Sequence, residues 1–73
     1  MGILEKEKNE DIILKNLLKQ ALHILVTSYS AEDLFLCDTD YERLTSLLNE
    51  IIETLSDNIA LYDKAIEERK TYE

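Results

Sequence analysis

Between Ile12 and Tyr29 the apolar residues return every third or fourth position, a spacing that suits a helix and not a strand. At 100° per residue, Ile13, Ile24, Leu17, Ala21, Leu14, Leu25, Leu18, Tyr29 and Leu22 fill one arc of about 180°, broken only by Ser28. Lys15, Asn16, Lys19, Gln20, His23 and Thr27 occupy the opposite side, with Ile12 and Val26 among them. A second periodic run gathers Tyr41, Leu44, Leu47, Leu48, Ile51, Ile52, Leu55, Ile59, Tyr62 and Ile66 into an arc of about 140°. The 73 residues contain no proline, and the one glycine is Gly2. That argues against a turn-rich all-β fold and against a glycine loop cradling phosphate.

Local signals set the expected boundaries. Thr39-Asp40-Tyr41-Glu42 reads as a capping box, which opens a second helix over residues 40–70. The first helix is expected over 3–29. Between them, Ser30-Ala31-Glu32-Asp33 reads as another capping box, opening a short helical turn over 31–37. The expected fold is therefore all-α, one domain over residues 1–73, with two long antiparallel helices joined by a short helical turn.

The apolar arc of the first helix is wider than one neighbour covers. A chain this short buries only about 60% of its unfolded surface, and two helices alone leave much of that arc in water. Two hairpins pairing as a four-helix-bundle homodimer would cover it. The alternative is a three-helix monomer in which residues 31–37 fold back as a lid.

Sixteen acids against eight bases give a formal charge of −8, unsuited to direct contact with nucleic acid or an anionic membrane. The imbalance is local. Residues 1–20 carry four acids (Glu5, Glu7, Glu10, Asp11) and four lysines, whereas residues 31–63 carry nine acids and one base, Arg43. On the second helix Glu42, Glu50, Glu53, Asp57, Glu67 and Glu68 fall within about 100° of arc, opposite the apolar stripe, with Lys64 as the main interruption. Glu50 to Glu53 rises about 4.5 Å along the axis and Glu53 to Asp57 about 6 Å, a spacing close to that of nucleic-acid phosphates. Such a row serves either as a solvated face that keeps the protein soluble or as a surface that docks into a basic channel.

Metal and redox chemistry find little support. Cys37 and His23 are single, which excludes an internal disulfide and an intrachain zinc finger. Asp38-x-Asp40-x-Glu42 opens like a calcium loop, but Arg43 and Asn49 stand where that loop needs Gly and Glu. Glu50-x-x-Glu53 is similar to the magnesium helix of all-helical nucleotide pyrophosphohydrolases, but the second acidic helix motif of that family is missing. No cofactor and no enzyme activity are expected. His23 reads as an exposed histidine, and Tyr29, Tyr41, Tyr62 and Tyr72 as core-edge residues with hydrated hydroxyls. The charged start, the lack of a 20-residue apolar run and the free thiol point to the cytoplasm.

Asp33-Leu34-Phe35 resembles the end of the peptide by which bacterial proteins dock on the DNA polymerase sliding clamp, Gln-Leu-(Ser or Asp)-Leu-Phe. Ala31 and Glu32 stand where that family has Gln and Leu. In size, charge and helical make-up the chain is similar to small acidic phage proteins that block host replication or nuclease machinery as DNA mimics. These resemblances imply an inhibitor whose partner is a protein with a basic nucleic-acid-binding surface, the sliding clamp being the candidate. Its contacts would be Glu32, Asp33, Leu34, Phe35, Asp38, Asp40, Glu42, Glu50, Glu53 and Asp57. The competing expectation is an antitoxin-like or immunity-like regulatory bundle that binds through its apolar face.

Overall fold

In the computed structural model, which describes residues 2–71, two long α-helices form an antiparallel hairpin: α1, Ile3–Ser30, and α2, Asp38–Thr71. The hairpin measures 55 × 19 × 13 Å. No strand occurs among the described residues.

A strict three-four spacing builds the seam between the helices. From α1 it takes the partly buried Leu4, Lys8, Asp11, Lys15, Leu18, Leu22, Leu25 and Tyr29. From α2 it takes Tyr41, Thr45, Leu48, Ile52, Leu55, Ile59, Tyr62 and Ile66. Each set repeats every 3.5 residues on average, the period that keeps one stripe facing a partner helix. Some polar members of the seam find partners across it. Lys8 forms an ion pair with Asp63, and the Tyr62 hydroxyl donates to Glu7 Oε2 at 3.2 Å. Within α2, the hydroxyls of Thr45, Thr54 and Ser56 donate to the carbonyls of Tyr41, Glu50 and Ile52, one turn back.

The connection differs from the expected helical turn over 31–37. Glu32 adopts φ 61°, in the left-handed region, and ends α1. Its N–H donates to Tyr29 O at 3.1 Å and the Asp33 N–H to Ser28 O at 2.9 Å. This pair of bonds is the Schellman arrangement, in which a left-handed residue lets the chain leave the helix with its last carbonyls satisfied. Residues 33–37 then run as irregular chain. The capping box expected from Ser30 does not form, because Ser30 is the last residue of α1. Likewise α2 begins two residues before the expected start. Asp38 is its first residue, and the Tyr41 N–H bonds Cys37 O at 3.0 Å, so Thr39 lies inside the first turn rather than capping it.

Leu55, at 8% exposure, is the only buried apolar residue among those described. The accessible surface is 5769 Å², whereas a folded monomer of this mass exposes about 4,650 Å². The radius of gyration is 16.6 Å, against about 11 Å for a compact domain of this length. A single hairpin thus has a seam and almost no interior.

Candidate functional site

The apolar arcs divide into two stripes. Besides the seam, α1 carries Leu14, Leu17, Ala21 and Ile24 on a parallel three-four row, with Ile13 beside it, and all five are exposed. On α2 the exposed Leu44, Leu47 and Ile51 form the matching row. Each row sits roughly a quarter turn from its own seam, displaced in the same rotational sense. Because the helices oppose each other and run antiparallel, equal displacements bring both rows to one side of the hairpin. Leu34 from the connection lies over this side, lining a shallow hollow with Ala21, Ile24, Leu25 and Ser28. The result is one apolar face spanning both helices.

Height along the hairpin follows from the cross-links. Tyr29 stacks on Tyr41, Glu7 meets Tyr62 and Lys8 meets Asp63. Leu44, Leu47 and Ile51 therefore stand level with about Val26, His23 and Lys19, in the same half as Leu17, Ala21 and Ile24. The face is concentrated toward the loop.

The acidic candidates occupy a different face. Glu50, Glu53 and Asp57 are exposed and line one shallow depression with Ile51 and Thr54. By helical position they point away from α1, roughly opposite the α2 seam. Asp40 and Glu42 are exposed near the start of α2. Asp38, by contrast, is engaged within the hairpin, where it accepts a hydrogen bond from the Tyr29 hydroxyl. Glu32 and Asp33 supply the backbone turn described above.

At the loop, Phe35 is 98% exposed, while Leu34 keeps 37% of its surface in water. They belong to an open hollow of about 900 Å³ bounded also by Tyr29, Ser30, Glu32, Leu36 and Cys37. The two side chains of the Asp33-Leu34-Phe35 segment are thus unequal: Leu34 rests over α1 and Phe35 stands free. Cys37 and His23 are exposed.

Tyr29, Tyr41 and Tyr62 do more than edge the core, while Tyr72 lies outside the described residues. The Tyr29 and Tyr41 rings stack with centroids 3.8 Å apart and planes within 9°. The hydrogen bond to Asp38, followed by desolvation and the nearby negative charge, pushes the Tyr29 phenol up to about 12. Glu7, as acceptor, likewise raises the Tyr62 phenol. One sequence signal points to both contacts: a tyrosine on each seam with an acid across from it.

Among the described residues, no group of three His, Cys, Asp or Glu side chains is placed to hold a metal ion, and no helix is long and apolar enough to cross a membrane. No family model, curated protein or solved structure matches the chain.

Proposed function

We propose that this chain is a small acidic interaction protein that works as a homodimer. Two hairpins close their apolar faces on each other as a four-helix bundle, and the carboxylate rows of α2 face outward. Those rows occupy the basic, nucleic-acid-binding surface of a protein partner, in the manner of a DNA mimic. The observation that supports this reading is the separation of the two faces: Glu50, Glu53 and Asp57 lie on the outer side of α2, turned away from Leu44 and Leu47, with Ile51 at the border between the two surfaces. Dimer formation therefore leaves the charge free to act.

The DNA polymerase sliding clamp is the candidate partner, since it combines a basic channel with a pocket for a Leu-Phe pair, and Phe35 stands free at the loop. The direct experiment is a titration of a bacterial sliding clamp at low and high salt with the wild-type chain and with E50K/E53K/D57K. Binding that weakens steeply with salt and vanishes in the triple variant supports mimicry. Unchanged affinity of that variant at low salt overturns it.

A second reading is favoured by the extent of the apolar face itself. In it the chain is a regulatory bundle that recognises a partner through Leu14, Leu17, Ile24 and Leu47, and the acids act as solubilising charge. Salt-indifferent binding lost in L17E and kept in the triple lysine variant supports that alternative.

A further inference from the structure

The apolar face also carries information on how two copies fit. Ile13, Leu14, Leu17, Ile24, Leu44, Leu47 and Ile51 are each between 40% and 63% exposed. Together they leave roughly 700 Å² of side chain in water, more than the largest patch usual on a monomer and close to the ~800 Å² per partner of a standard interface. Two face-to-face arrangements of antiparallel hairpins have two-fold symmetry. With the axis along the helices, both loops lie at the same end and α1 of each copy covers α2 of the other. With the axis across the helices, the loops lie at opposite ends, and each helix covers its own equivalent.

Charge separates the two. Helix α1 carries four acids (Glu5, Glu7, Glu10, Asp11) and four lysines (Lys6, Lys8, Lys15, Lys19), net zero. Helix α2 carries nine acids (Asp38, Asp40, Glu42, Glu50, Glu53, Asp57, Asp63, Glu67, Glu68) against Arg43, Lys64, Arg69 and Lys70, net −5. Loops at opposite ends bring two such α2 helices side by side, and like charges oppose that pairing. Loops at the same end place the neutral α1 over the acidic α2. Height agrees. Ile24, Ala21 and Leu17 of α1 lie within about two residues of the height of Leu44, Leu47 and Ile51 of α2, so a same-end pairing lays one row over the other without a large shift along the axis.

We propose that two copies pair with their loops at the same end, α1 of each over α2 of the other, so that both Leu34–Phe35 segments meet at one pole of the bundle. This rests on the homodimer proposed above and adds its geometry. It makes the loop pole a composite site, with two exposed Phe35 rings offered together to a partner that has paired apolar pockets.

Cys37 supplies the probe, being the one cysteine and exposed in the loop. The full chain carrying a nitroxide at Cys37 is measured by pulsed dipolar spectroscopy, with its mass determined in parallel. A dimer with label separations of roughly 15–30 Å, the width of a bundle with helix axes 8–10 Å apart, is the expected result. A dimer whose labels stand beyond that, roughly 35–45 Å apart as a crosswise axis through the face near Ala21 would place them at ~1.5 Å per residue, overturns the arrangement while keeping the dimer. A chain of monomer mass overturns both. Labelling C37S/I3C at the open end, where Ile3 is exposed, gives an independent reading with the same expected short distance.

Discussion

The Tyr29 and Tyr41 rings stack face to face at 3.8 Å, joining the last turn of α1 to the first turn of α2, and the Tyr29 hydroxyl reaches on to Asp38. This latch closes the loop end of the hairpin. At the other end, the Lys8–Asp63 ion pair and the Tyr62–Glu7 hydrogen bond tie the helices together in the same way. Between the two clamps the seam is mainly aliphatic, so the polar ends fix the register that Leu18, Leu22, Leu48 and Leu55 alone would leave free to slip.

The latch has a pH signature. With its phenol near 12 in the fold, against 10.0 in an unfolded chain, Tyr29 holds its proton more tightly when folded. Its contribution to stability is therefore complete below pH 10 and is lost as pH rises toward 12. Absorbance at the tyrosinate band is expected to show a late-titrating phenol that Y29F removes. Y29F should also flatten the fall in thermal stability over that window; an unchanged fall would detach the latch from it.

Glu32 holds a left-handed conformation that costs a side-chain-bearing residue about 1 kcal/mol. Glu32→Gly should therefore raise stability by about 0.5–1 kcal/mol in urea unfolding, through better fit at the end of α1. Glu32→Val, with a branched β-carbon, should lower it. Equal midpoints for both variants would show that the turn is not held as described.

Among the described residues Leu55 is the most buried apolar side chain, and its truncation removes the centre of the seam. Leu55→Ala is expected to cost about 2 kcal/mol, the low end of the range for Leu→Ala in cores, because the surrounding shell is thin. Leu61→Ala is the control. That side chain is 63% exposed and stands off both apolar rows, so its loss should change stability by less than about 0.5 kcal/mol.

Helix existence and extent are legible in the sequence, because periodicity over Ile12–Tyr29 and Tyr41–Ile66 reports directly on burial. The division of each arc into two stripes is less visible. On α1 the seam includes Lys8, Asp11 and Lys15, whereas the greasier row is Leu14, Leu17, Ala21 and Ile24, so apolar weight alone points away from the true helix contact. The loop escapes a reading by residue type because its left-handed residue is Glu32 rather than glycine, and because Ser30 and Thr39 have the chemistry of caps without the position. Of the expected contact residues, Glu50, Glu53 and Asp57 do share one surface, and Phe35 does stand out at the loop. Asp38 also accepts a hydrogen bond from Tyr29, and Glu32 and Asp33, both exposed, close the turn through their backbone N–H groups.

The proposed dimer depends on the apolar face recruiting a second copy, and sedimentation equilibrium at micromolar concentration tests that claim most directly. The expected mass is twice the 8.5 kDa of one chain, with L17E/L47E shifted to the single-chain mass and losing helicity. A stable, fully helical species at 8.5 kDa for the wild-type chain would contradict it.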